Sequence, residues 1–183
     1  MLFNKKLVTI AVLASSMVAG SALAADGKKG VELTFKAQLR TASCEVNTTT
    51  KGSVIDWGVF TVDQAAGKAV KDTLGEPKKF DLVLSNCSHD GADQSINVYA
   101  QGNAANGFPE LFANQDSKSL AVQLKSDTVS ILPNEDSKVT LAKAVAKDGG
   151  ATIPMTASLL LTQADGVAPD VLSVPVTFTV SYN

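Results

Sequence analysis

The chain has 183 residues, with 16 basic and 18 acidic side chains and an apolar fraction of 45%, enough for one domain with a sizeable core. A mildly acidic chain without a basic cluster argues against nucleic acid or an anionic membrane as a partner. Two cysteines and a single histidine leave little material for a metal or redox centre.

The N-terminus reads as an export signal. Lys5 and Lys6 supply the positive region, Leu7 to Ala19 is mostly apolar, and Ala22-Leu23-Ala24 forms a small-x-small cleavage pattern. Residues 1–24 are therefore expected to be removed, with the mature chain starting at Ala25. A membrane anchor is the competing reading. The apolar run is short, however, and no later segment approaches the roughly 18 apolar residues that a spanning helix needs. Losing the signal removes two lysines and no acid, so the excess of acids over bases rises from two to four.

Ala25 to Gly30 is polar and glycine-rich. Val31 to Arg40 then alternates strictly, with Val31, Leu33, Phe35, Ala37 and Leu39 on one face. Burying the four larger of these side chains is worth roughly 6–12 kcal/mol as an upper estimate.

Cys44 and Cys87 lie in the mature region of an exported chain, where an isolated pair is expected to form a disulfide. The rival reading is a metal or redox pair. There is no CxxC, and His89 is the only histidine that could join such a site.

Helical signals are scarce. Strands are predicted over Val54 to Phe60, Phe80 to Asn86, Ser95 to Ala100, Leu120 to Leu124, Thr128 to Leu132, Lys138 to Leu141, Thr152 to Thr162 and Val171 to Tyr182. Turn-rich stretches separate them: Gln101 to Gly107, Pro133 to Asp136, Asp148 to Gly150 and Asp165-Gly166. Asp63 to Glu76 is ambiguous between a short helix and a loop. Leu159-Leu160-Leu161 breaks alternation and implies a strand covered on both faces. Pro175 cannot donate to a ladder, which places it at an edge or a bulge. Short strands at this spacing predict an all-β sandwich. The two alternating segments at the ends of the mature chain are potential sheet edges, and such edges invite pairing with another chain.

No catalytic signature is visible: no Gly-x-Ser-x-Gly elbow, no P-loop and no HExxH. His89 reads as a surface-loop residue and Trp57 and Tyr99 as core or core edge. Asn134-Glu135-Asp136 lacks the remaining spacing of a calcium loop. No catalytic residue, metal ligand or cofactor is assigned. From the residues alone, Val31 to Leu39 is as readily the first strand of the chain's own sandwich as a segment offered to a neighbour.

Several of these segments together resemble the pilin subunits of chaperone–usher fimbriae, the broad type 1 and P pilus family. They are the alternating segment before Thr41-Ala42-Ser43-Cys44-Glu45-Val46, and Phe80-x-Leu82-x-Leu84-x-x-Cys87. Thr152-Ile153-Pro154-Met155 and the terminal Thr177-Phe178-Thr179-Val180-Ser181-Tyr182-Asn183 complete the set. The resemblance covers essentially the whole mature chain and implies an incomplete immunoglobulin-like β-sandwich that lacks its last strand and is completed by a donor strand. It implies a donor extension over 25–40, with Val31, Leu33, Phe35, Ala37 and Leu39 as its inserting residues, and a pilin domain over 41–183. It further implies that a periplasmic chaperone recognises Val176, Phe178, Val180, Tyr182 and Asn183, that an outer-membrane usher directs assembly, and that copies of this chain or related pilins join in a fimbria on a Gram-negative cell surface. The physical basis is strand addition: backbone hydrogen bonds supply affinity and alternate side chains enter pockets. Ala37 stands where many relatives have Gly, so the matching groove position must be wider or the fit looser. A receptor-binding role, as an adhesive shaft or adaptor subunit recognising a host glycan or protein, is the second function the resemblance allows.

Overall fold

The computed structural model describes residues 42–50, 53–164 and 167–182. The proposed signal and the donor-strand residues Val31, Leu33, Phe35, Ala37 and Leu39 lie outside the described residues, as does Asn183.

The described chain is almost entirely strand. In order come β1 (Ala42–Ser43), β2 (Glu45–Thr48), a one-turn helix α1 (Val62–Ala65), β3 (Lys78–Ser85), β4 (Ser95–Gln101) and β5 (Ala104–Ala105). There follow β6 (Phe108–Phe112), β7 (Leu120–Ser126), β8 (Val129–Ile131), β9 (Asp136–Thr140), β10 (Ala151–Leu161) and β11 (Thr177–Tyr182). They form a four-stranded sheet in the order β1-β11-β4-β9 and a seven-stranded sheet in the order β2-β3-β10-β7-β6-β5, with β8 paired to β7. Every ladder is antiparallel.

Alternation explains the two layers. In β3, Phe80, Leu82 and Leu84 are buried while their neighbours are more exposed; in β4, Ile96, Val98 and Ala100 are buried in the same way. These two rows, from opposite sheets, meet in one core with Val180 and Tyr182 of β11. The period of two is what lets one face of each strand enter that core.

The predicted double coverage of Leu159-Leu160-Leu161 holds. Leu160 packs with Ala105, Leu111 and Ala121, while Leu159 and Leu161 pack with Ala65 and Leu74. Pro154 lies inside β10 without disrupting it. β10 pairs with β3 over residues 151–157 but with β7 only from Thr156 onward. Pro154 opposes Asp81 of β3, clear of the β7 ladder, and its carbonyl accepts the Ser126 hydroxyl at 2.9 Å.

Two predicted strands differ from what is observed. Val54 to Phe60 forms no ladder. The Asp56 carboxylate accepts the Gly58 amide at 2.7 Å, Gly58 takes φ +80°, and the Trp57 indole donates to the Glu76 carbonyl at 3.2 Å. This turn chemistry breaks the run at Trp57-Gly58. The C-terminal strand begins at Thr177 rather than Val171. β4 ends at Gln101, which pairs with Thr177, so residues 171–176 have no ladder on that side. Pro175 therefore lies just before the strand. Conversely, the predicted turn Gln101 to Gly107 contains β5 and leads through Asn106-Gly107, with Gly107 at φ +78°, into the unpredicted strand β6. The ambiguous stretch 63–76 holds all but the first residue of α1, whose start is marked by the Thr61 amide donating to Gln64 at 2.8 Å.

Candidate functional site

The first cysteine marks a change of sheet. β1 belongs to the four-stranded sheet and β2 to the seven-stranded one, and Cys44 lies between them. The predicted Cys44–Cys87 disulfide forms, and Cys87 is buried. Around it the Ser88 amide donates to the Ser43 carbonyl at 3.2 Å, and the Ser43 amide to the Ser88 hydroxyl at 3.3 Å. The crossing is thus held both covalently and through the backbone.

This crossing leaves β11 with one incomplete edge. On one side it pairs with β4 from Thr177 to Ser181. On the other, β1 reaches only Ser181 and Tyr182. From Thr177 to Val180 that second edge has no strand partner among the described residues. Unpaired strand edges are templates for pairing.

Beside the open edge runs a groove of about 830 Å³. Its floor is apolar and comes from the sandwich interior: Phe80, Leu82, Val122, Leu124 and Ala157. One wall is Val46, Thr48 and the stretch Val54 to Trp57; the other is Leu172, Val174, Val176 and Phe178. Leu172, Val174 and Val176 keep their alternation without a ladder and Phe178 continues it inside β11, each half-buried against the core with exposed neighbours between. Phe178 also meets Phe80 across the groove, with ring centroids 6.3 Å apart. The groove is thus an apolar slot that opens to solvent between half-buried and exposed wall residues, over floor residues that are themselves buried.

Of the predicted edge residues, Val176 and Phe178 line this groove. Val180 and Tyr182 point into the core and are fully buried. The Tyr182 hydroxyl donates to the His89 carbonyl at 2.8 Å. His89 itself is exposed on its loop, as expected.

The groove carries one ionisable side chain among the described residues, Asp56, and its carboxylate is engaged by the Gly58 amide. No group of three or more His, Cys, Asp or Glu side chains with metal-binding geometry occurs among the described residues. What this lining can do chemically is bind an extended apolar segment. The most engaged carboxylate, Asp170, lies in sequence two positions before the wall residue Leu172. Burial pushes the Asp170 carboxyl up, but the Ser119 amide, the Ser117 hydroxyl and the Lys118 and Val171 amides outweigh it and hold the group below the usual range. Glu110 is also lowered, by its hydrogen bond to Lys71 at 2.6 Å, on the open surface. Sequence reasoning missed Asp170 because its partners lie about fifty positions away; Asp170 preceding an alternating run was the one local sign.

The known proteins agree with this architecture. Residues 33–183 match the family model described as "Fimbrial protein". No curated protein matches the chain. Among solved structures, the P pilus rod subunit PapA is similar at 20% identity and a TM-score of 0.58, over 77% of this chain and 99% of that one. A subunit of a chaperone–usher pilus, solved for the molecular basis of rod uncoiling, is similar at 17% identity and a TM-score of 0.55, over 85% of this chain and 97% of that one. The β-sandwich is the fold they share. The chain belongs to the fimbrial protein family: it is a structural subunit that assembles with other pilins in an extracellular pilus, built on an incomplete immunoglobulin-like β-sandwich.

Proposed function

We propose that this subunit polymerises by donor-strand exchange. Residues 1–24 direct export and are removed. Residues 25–40 then serve as an extension whose Val31, Leu33, Phe35, Ala37 and Leu39 enter the groove of a neighbouring copy or related pilin. The pilin domain spans 41–183. Before exchange, a periplasmic chaperone lends a strand to the same edge, contacting the stretch from Val176 to Asn183. An outer-membrane usher then hands the subunit to the growing fibre on a Gram-negative cell surface. No covalent change in a substrate is involved.

The observation that carries this reading is the unpaired edge from Thr177 to Val180 beside an apolar groove. An inserted strand gains backbone hydrogen bonds along that edge while its alternate side chains leave water. Phe35 is the largest donor side chain and Ala37 the smallest. The groove therefore has to offer one deep pocket and one shallow pocket two positions apart. The test is deletion of residues 25–39 in cells carrying the chaperone and usher. The truncated subunit is expected to accumulate with the chaperone and form no fibre; fibres assembled from it alone would sink the proposal.

A further inference from the structure

The groove wall from Val171 to Val176 poses a physical problem. It has no strand ladder on either side among the described residues, yet Leu172, Val174 and Val176 all face the groove. An extended segment without a ladder loses backbone order unless something else holds it. At its C-terminal end the wall is held by the β11–β4 ladder, which starts at Thr177. At the other end stands Asp170.

The Asp170 carboxylate collects four donors. Oδ2 accepts the Ser117 hydroxyl at 2.9 Å, the Lys118 amide at 2.9 Å and the Ser119 amide at 2.8 Å; Oδ1 accepts the Val171 amide at 2.8 Å. The turn it grips is itself tied into the seven-stranded sheet. The Ser117 hydroxyl shares its one hydrogen between Asp170 and the Leu120 carbonyl, 2.6 Å away, the Thr162 amide donates to the Ser119 carbonyl at 2.9 Å, and the Thr162 hydroxyl donates to the Lys118 carbonyl at 3.0 Å. One step along the wall, the Ser173 amide donates to the Asn114 side chain at 3.0 Å. The wall is thus suspended between the two sheets. Its far end hangs from the start of β7 and the end of β10 through one carboxylate.

We propose that Asp170 is the positioning residue of the groove, fixing the Val171–Val176 wall against the Ser117–Leu120 turn so that its alternate side chains stand ready before a donor strand arrives. This rests on the donor-strand reading and deepens it. Strand insertion requires the wall in register, and a wall that is ordered only part of the time lowers the apparent affinity by the fraction of time it is competent. Asp170 touches no donor residue in this role; it acts through the wall. Asn is a poor substitute, because an amide offers one acceptor oxygen where the carboxylate serves donors on both.

The test uses the full mature chain and a labelled peptide of sequence Ala25 to Arg40. Peptide association is measured together with amide hydrogen exchange, for the wild type, Asp170→Asn and Ser117→Ala. Asp170→Asn is expected to slow association about tenfold and to speed exchange at Val171 and Ser173. Exchange at Leu82 and Val98 in the core should be unchanged. Ser117→Ala, which removes one of the four donors, should have a smaller effect in the same direction. Wild-type association at an unchanged rate in Asp170→Asn overturns the positioning role while leaving the groove reading intact. Exchange accelerated equally throughout the core also overturns it, since Asp170 would then serve stability in general. A wild-type chain that does not take the peptide overturns the donor-strand reading itself, and the inference with it.

Discussion

The Tyr182 hydroxyl donates to the His89 carbonyl oxygen at 2.8 Å, and the two rings meet edge-on with centroids 5.4 Å apart. Ninety-three positions of sequence separate them. The contact fastens the end of β11 to the loop that follows Cys87, beside the point where β1 caps the open edge. Tyr182→Phe keeps the ring and removes only the hydroxyl, with this hydrogen bond and the longer one it accepts from the His89 amide at 3.4 Å. It is expected to lower stability by about 1 kcal/mol, measured by urea denaturation with an unchanged slope. No loss would mean that water replaces the hydroxyl at no cost.

The disulfide closes a loop with a sequence separation of 43. Replacing both Cys44 and Cys87 by alanine is expected to cost about 4 kcal/mol in the chain-entropy model. The midpoint of denaturation should fall accordingly, and reductant should have no further effect on the double variant. A fall below about 1 kcal/mol would show that the Ser43–Ser88 backbone contacts already fix the crossing.

Ala157 is the smallest side chain on the groove floor, and it is buried on β10 between β3 and β7. Ala157→Leu adds three carbons on the floor that the proposed donor strand would face. Overpacking of this kind costs about 1–3 kcal/mol; since Ala157 is itself buried, part of the cost falls on the free chain and part on the complex with the donor. The affinity for a peptide of Ala25 to Arg40 is expected to drop about tenfold or more, while the circular dichroism spectrum of the free chain is retained. Undiminished binding would place the donor elsewhere.

Asp170 predicts a dependence on acid. Its carboxyl is held below the ordinary value of 3.8 in the folded chain. A depressed carboxylate contributes stability that is fully present above its unfolded value and is lost as pH falls through the folded one. The wild type should therefore lose more stability than Asp170→Asn as pH is lowered from neutrality to below the carboxylate range. Above that range the gap between the two should be constant. The turn bearing its partners also carries Asp116 and Lys118, so Asp116→Asn is the control for general acid effects. Parallel thermal profiles for the wild type and Asp170→Asn would remove the carboxylate from the account.

Much of the sandwich was legible in the sequence because alternation is a local property. Phe80-x-Leu82-x-Leu84 and Ile96-x-Val98-x-Ala100 announced β3 and β4, and their buried faces are those the pattern names. What escaped depends on distant partners. Val171 to Val176 alternates as well as β11 does, yet whether it becomes a strand is decided by where β4 stops. β6 was hidden because Pro109 and Glu110 interrupt its apolar positions. The groove walls were only half visible. Val176 and Phe178 were named, whereas Leu172 and Val174 enter through the same alternation, and Trp57 through a loop that was read as strand. Asp170 showed only its place before an alternating run, since its meaning lies in Ser117, Lys118 and Ser119.

The change of sheet at Cys44 governs how the subunit bears tension. A pull on the chain from its N-terminal side enters at Ala42 and meets the disulfide two residues later. Part of the load then leaves through Cys87, and the covalent bridge shields the polypeptide from Glu45 to Asn86 from being stretched. β2, α1 and the whole of β3 lie in that sheltered stretch, together with the first groove wall. The two walls therefore differ mechanically. The Val46–Trp57 wall sits in the covalently bypassed loop, while the Val171–Val176 wall lies outside it and is kept in place by hydrogen bonds and side-chain packing, with no covalent bridge.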